Sequence, residues 1–204
     1  MRAELLTRTE DGRELPLLVW RLLAPMAAAS TASAGGGVGD RAWVINAQVA
    51  HDYARHDQEQ HAAELAAGVG LDGPGVTMLT AATVRKVRQH DDGGVSAAAT
   101  VGLTHPTWAA APDDPEPPLV GTINIVAVLP VRLTPAALLN ALCTATEAKT
   151  QALLEAGVPG TGTPSDAVTV LVPRHGLAEP FCGPRSVWGA RLARAVHGAV
   201  RAGV

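Results

Sequence analysis

Aromatic side chains are scarce: four Trp, one Tyr and one Phe, 3% of 204 residues. So few rings argue against the base-stacking platforms that bind single-stranded nucleic acid. Lysine is nearly missing as well. Only Lys86 and Lys149 accompany the arginines among 16 basic residues, and 19 acidic residues leave a net charge of −3. That balance supplies no general electrostatic footprint for nucleic acid. Two cysteines, Cys143 and Cys182, cannot form a disulfide framework or a four-Cys zinc site, which fits a reducing cytoplasm. No Gly-x-Ser-x-Gly elbow and no His-Glu-x-x-His helix is present. The opening MRAELLTRTEDGR lacks the basic region and apolar core of a signal peptide. One uncharged window, Leu22 to Gly39, approaches the length of a membrane span. It holds Pro25 and four Gly, so it reads as a strand end running into a glycine-rich loop. A soluble, cytoplasmic protein with no membrane and no nucleic-acid partner is expected.

What is abundant is small. Hydrophobic residues make up 47%, and 38 Ala with 21 Gly fill 59 of 204 positions. The core must be built from small and aliphatic side chains with closely packed elements. Leu5 to Thr9 and Leu15 to Leu23 flank a Glu10–Gly12 turn and read as a β-hairpin. Ser33 to Asp40 (SAGGGVGD) reads as a flexible loop, Arg41 to Val49 as a strand, and Asp57 to Ala67 as a helix with Asp57 as its cap. Gly75 to Thr80 is a short apolar strand, and Val84 to Gln89 with Val95 to Leu103 form a second hairpin. Residues 104–118 carry five prolines among acidic residues and read as a solvated surface loop. Leu119 to Leu129 is an apolar strand. Thr134-Pro135 opens a helix that stops at Gly157. Asp166 to Val172 is a buried strand, and Ser186 to Arg201 is a final amphipathic helix capped by Ser186. Strands come early and helices late. The expected fold is α+β: residues 1–204 as a single domain, with a mixed, largely antiparallel sheet packed against helices and two main helices in the second half.

Four pieces of the second half stand in a distinctive order. They are GTINI at Gly121–Ile125, ALLNALCTATEAKTQAL at Ala137–Leu153, GTPSDAV at Gly162–Val168 and PFCGPRSVWG at Pro180–Gly189. SAGGG at Ser33–Gly37, VINAQVAHDY at Val44–Tyr53, MLTAA at Met78–Ala82 and TVGL at Thr100–Leu103 agree more loosely. Together these segments resemble the adenosylcobinamide amidohydrolase family from about Ser30 to Val200. The resemblance implies hydrolysis of the amide between the aminopropanol arm and the corrin ring of adenosylcobinamide, giving adenosylcobyric acid and aminopropanol in corrinoid salvage. A corrinoid-binding carrier of the same fold without turnover is the alternative. No resident cofactor is expected, because the substrate itself carries cobalt; a metal requirement and a homo-oligomer both stay open.

Amide hydrolysis needs an activated water or nucleophile, an acid for the leaving amine and donors for the oxyanion. A carboxylate that activates water is the leading mechanism. Glu147 is the candidate base: on the helix it falls within about 20–40° of Asn140, Cys143 and Leu154, read as the inner face. Asp166 follows a Gly-Thr-Pro-Ser turn at a strand mouth, where it would orient water or a partner group; the plainer alternative is a turn-stabilising Asx residue. Asn124, inside an apolar strand, would hold an oxyanion or substrate amide, or else serve core hydrogen bonding. Thr163 and Ser165 would bind the substrate amide or its carboxamides. Lys149 would make an ion pair or a carboxamide contact. Thr122 after Gly121 also suggests an N-terminal nucleophile freed by self-cleavage. Ser186 reads first as a cap. Gly36 and Gly37 would lie against the flat macrocycle or form a plain loop, and Asn46 and Tyr53 match the family's first-half pattern. His51, His56 and His61 recur every five residues, but on a helix five residues rotate about 140°, so they read as a solvated stretch rather than a metal cluster.

Overall fold

Two glycine-containing turns set the local geometry of the sheet. Asp11 and Gly12 have φ of 50° and 74°, so a two-residue turn joins β1 (Glu4–Glu10) to β2 (Arg13–Ser30). Positive φ at both central residues matches the right-handed twist of paired strands, and Asp-Gly tolerates it. Gly93 and Gly94, at 53° and 91°, repeat the device between β5 (Arg88–Asp92) and β6 (Val95–Gly102). The remaining elements are β3 (Gly37–Gln48), α1 (Gln58–Gly68), β4 (Gly75–Thr80), β7 (Thr122–Val128), β8 (Arg132–Leu133), α2 (Pro135–Glu155), β9 (Ala167–Val172), β10 (Ala178–Glu179) and α3 (Val187–Arg201). This computed structural model describes residues 2–113 and 121–204. The acidic end of the proline-rich loop and the first two residues of the expected Leu119–Leu129 strand lie outside the described residues.

The architecture is α+β, as expected. Strand order is β4-β3-β2-β9-β7-β6-β5, with β1 pairing β2 to complete eight strands; β8 and β10 form a separate parallel pair. Within the main sheet β3–β4 and β7–β9 are parallel and the other pairs antiparallel. β2 is the spine. Its register with β3 shifts between Arg21 and Met26. Its first half pairs β1, and its last four residues pair β9. The irregularity bends the strand and divides the sheet into two wings.

Leu17 and Val19 face outward from the first wing and pack with Ile45 under Leu65 and Ala66 of α1. Leu18 and Trp20 face inward with Val44, Val76, Met78, Val126 and Leu171. Burial on both faces explains why β2 reads as a continuous apolar run. Against the outer face of the second wing lie α2 and α3, through Ala141, Ala145, Ala148, Ala152, Leu153, Leu192 and Val196. Alanine along α2, at Ala137, Ala141, Ala145, Ala148 and Ala152, lets the helix approach the sheet closely. The Thr134 hydroxyl accepts from Ala137 N at 3.2 Å and caps α2, with Pro135 in the first turn. No helix of the described residues is long and apolar enough to cross a membrane.

Two local expectations change. Residues 37–40 are not loop: Gly37–Asp40 pair with Ala27–Ser30 in β3. Backbone pairing needs no side chain, and the Arg41 guanidinium pins the preceding turn by donating to the carbonyls of Gly35 and Gly36 at 2.9 and 2.8 Å. Val84–Lys86 is a 3-10 turn rather than strand, because Val84 drops into the inner core with no exposed surface.

Candidate active site

The two wings fold toward each other. In a flat sheet β3 and β6 would stand four strand spacings apart, about 19 Å. Instead Asn46 Nδ2 donates to Thr100 Oγ1 at 2.9 Å, and Asn124 Nδ2 donates to Asn46 Oδ1 at 2.9 Å and to the Leu79 carbonyl at 3.2 Å. This amide chain is buried and ties β3, β4, β6 and β7 across the concave face. Asn124 Oδ1 is buried with no partner among the described residues. A buried acceptor without a donor costs about 1–3 kcal/mol, a local strain in the polar chain that joins the wings.

Where the wings open lies a cavity of about 370 Å³. Met78 to Ala81 of β4 and its following loop form one wall. Thr31 to Ser33 form the second, Thr122, Ser165, Asp166 and Ala167 the third, and the segment after β3, with His51, Tyr53 and Gln58, the fourth. Ser165 Oγ lies 2.9 Å from the Gly121 carbonyl, which can only accept. Ser165 therefore donates there, and the Thr122 hydroxyl, 2.7 Å away, must donate to Ser165. The lone pairs of Thr122 Oγ1 are left for whatever enters the cavity.

Asp166 organises the wall behind these hydroxyls. Its Oδ1 accepts from Ile123 N at 2.8 Å and from the Thr163 hydroxyl; Oδ2 accepts from Thr163 N at 3.1 Å and from Lys149 Nζ at 2.5 Å. Four donors occupy the lone pairs of a carboxylate. Asp166 thus fixes the first residues of β7 against the Thr163–Asp166 turn, and with them the Thr122–Ser165 pair. The ion pair is nearly enclosed, with 8% of the Lys149 side chain and 11% of the Asp166 side chain exposed. Gly162 is required beside it, since any Cβ there would collide with both Lys149 Nζ and Asp166 Oδ2.

Comparison with known proteins gives the same answer as the motifs. The family model described as adenosylcobinamide amidohydrolase matches residues 2–204. An adenosylcobinamide amidohydrolase of Halobacterium salinarum is 36% identical over 178 residues, covering 80% of this chain and 73% of that protein. One of Methanosarcina mazei is 30% identical over 178 residues, covering 83% and 86%. The chain belongs to the adenosylcobinamide amidohydrolase family.

Of the residues expected to serve this family's chemistry, Asp166, Lys149, Thr122, Thr163 and Ser165 converge on one wall, with Asn124 next below Thr122 on the same strand face and Asn46 bonded to it. Glu147 does not join them. It stands exposed on α2, as do Asn140, Cys143 and Leu154, the arc expected to face inward. The expectation is corrected because Leu154 faces solvent: the buried stripe is mostly alanine with Leu138, Thr144 and Leu153, and it carries Lys149 inward and Glu147 out. Ser186 is also apart, its hydroxyl spent on Gly189 N at 3.1 Å and the Gly183 carbonyl at 2.8 Å as the cap of α3. Gly36 and Gly37 form the turn into β3 and do not line the cavity; their neighbours Thr31 to Ser33 do.

The histidines separate as well. His51 and His56 are exposed, but His61 is 2% exposed, against the expectation of a solvated stretch. Its Nδ1 lies 2.9 Å from the Tyr53 hydroxyl and its Nε2 3.3 Å from Glu10 Oε1. Among the described residues no three His, Cys, Asp or Glu side chains come together as metal ligands. Sequence spacing held no signal for Glu10, which is 51 positions from His61 and meets it only because the first hairpin folds back over α1.

Proposed function

We propose that this chain hydrolyses the amide joining the aminopropanol arm to the corrin ring of adenosylcobinamide, releasing adenosylcobyric acid and aminopropanol in corrinoid salvage. The observation that carries the reading is the family match across residues 2–204. The cavity supports it. At about 370 Å³ it lies at the small end of ligand pockets and is too small for a corrin macrocycle bearing an adenosyl group. The arm and its amide enter, while the ring stays at the rim. Thr122 Oγ1, on the cavity wall, supplies an acceptor for the N–H or hydroxyl of the arm. Asp166, held by Lys149 and Thr163, keeps the Thr122–Ser165 pair in place and touches the wall rather than acting as the base. Glu147, on the opposite face of α2, takes no part in the bond-breaking step on this reading. Cobalt enters as part of the substrate, with no resident cofactor. The two unpaired thiols, Cys143 and Cys182, suit a reducing cytoplasm.

Incubation of the purified protein with adenosylcobinamide, followed by chromatography, tests this. Adenosylcobyric acid and aminopropanol in equal amounts are expected. Retained corrinoid binding without either product would replace the enzyme with a corrinoid carrier.

A further inference from the structure

The wall opposite Thr122 ends in a chain of polar groups that reaches out of the buried interior. Tyr53 lines the cavity. Its hydroxyl meets His61 Nδ1 at 2.9 Å, and the two rings stack with centroids 5.4 Å apart. Behind His61, Glu10 Oε1 sits 3.3 Å from Nε2. Glu10 Oε2 is fixed by Arg8, whose Nε and Nη2 donate at 2.9 and 2.6 Å. Glu10 meets Nε2 at ion-pair distance rather than through an aligned hydrogen bond, and a carboxylate only accepts, so it favours the neutral tautomer with hydrogen on Nε2 and Nδ1 bare. Tyr53 then donates to His61, which leaves the lone pairs of its own oxygen unused on a residue that lines the cavity. Carboxylate, imidazole and hydroxyl in this order are the parts of a general-base relay, recognised by geometry rather than sequence order.

We propose that Tyr53 is the proton-transferring residue of this cavity and that His61 and Glu10 act through it as a relay. The proposal rests on the hydrolysis reading above. A water between Tyr53 and the substrate carbonyl gives a proton to Tyr53 Oη as the phenol proton passes to His61 Nδ1. The hydroxide oxygen bonds to the carbonyl carbon and the C=O electron pair moves onto oxygen. The imidazolium so formed faces Glu10, which Arg8 holds in place. When the intermediate collapses, the C–N pair leaves with the amine, which takes a proton from Tyr53 Oη while Nδ1 returns its own. Water and amide become acid and amine, and the relay is restored. Burial raises the Tyr53 phenol above its ordinary range, so the relay starts with its proton in place. Arg8, Glu10, Arg55 and Asp57 are the charged groups around it.

The test compares wild type with Tyr53→Phe, Glu10→Gln, His61→Gln and the double variant Tyr53→Phe/His61→Gln, using adenosylcobinamide. Tyr53→Phe keeps the ring stack and is expected to lower kcat about 10²-fold or more, with KM within about threefold. The double variant should be no slower than Tyr53→Phe alone, because parts of one relay do not add. A Tyr53→Phe rate within about threefold of wild type overturns the relay and leaves the proposed activity standing. So do multiplicative losses in the double variant. Should His61→Gln fail to fold, Tyr53→Phe/Glu10→Gln replaces the double variant. Wild type without turnover overturns the activity instead, and nitrogen-15 spectra of labelled histidine then read the relay: hydrogen on Nε2 with bare Nδ1 supports it, and hydrogen on Nδ1 overturns it.

Discussion

Breaking the Lys149–Asp166 pair should destabilise the fold asymmetrically. Asp166 accepts from four donors and keeps three when Lys149 becomes Met, which preserves the apolar stem and removes the charge. The loss is one charge-assisted hydrogen bond, about 1.5–3 kcal/mol. Asp166→Asn is nearly isosteric, but it leaves the ammonium buried, at 8% side-chain exposure, with no counter-charge among the described residues. Removing one partner of a buried pair costs about 3–5 kcal/mol. Against a domain stability of about 5–15 kcal/mol that is a large share. For a chain of this size 1 kcal/mol moves Tm by about 2–4 °C, so Tm should fall by about 6–20 °C. Urea unfolding followed by the four Trp, with circular dichroism as a second probe, gives each value. The double variant Asp166→Asn/Lys149→Met carries no orphan charge, and its loss should fall short of the sum of the singles by at least about 1.5 kcal/mol. Additivity within about 0.5 kcal/mol, or a larger loss for Lys149→Met than for Asp166→Asn, would refute the reasoning.

Glu147→Gln should leave stability within about 0.5 kcal/mol and kcat/KM within about twofold, since its side chain stands in solvent away from the cavity; a large fall in adenosylcobinamide turnover would return Glu147 to the site. Cys143 is exposed, whereas burial pushes the Cys182 thiol up to about 11, so it stays protonated at neutral pH. Thiol titration should therefore find one group reactive in the native state and a second only in denaturant. Gly162→Ala should lose about 1–3 kcal/mol in urea unfolding, because its Cβ meets the ion pair. Intact-mass measurement should give one species at 20.9 kDa; cleavage before Thr122 would make that residue an N-terminal nucleophile.

Helix and turn chemistry was readable where local interactions decide the backbone. Thr134-Pro135 set the start of α2 and Gly157, at φ 75°, its end; Ser186 began α3, and Gly75–Thr80 formed β4 as expected. The phase of α2 was not readable. Its side chains are mostly small, and its leucines fall on both sides: Leu138 and Leu153 are buried while their neighbours Leu139 and Leu154 face water. Which of Glu147 and Lys149 points inward follows from the sheet beneath, where the mostly alanine face packs closely and Asp166 meets the ammonium.

From sequence alone came the α+β class, the family, and one wall of the site, because GTINI and GTPSDAV lie at the mouths of strands that pair with each other in parallel. Tertiary structure decided the rest. The bend in β2 swings one wing over the other, bringing Asn46 to Asn124 across 78 positions, and the first hairpin packs over α1, bringing Glu10 to His61 across 51. Neither distance leaves a periodicity for a sequence to show. Hydrogen bonds between remote strands depend on how far the sheet curls, and that curl is set by the summed packing of both faces rather than by any local run of residues.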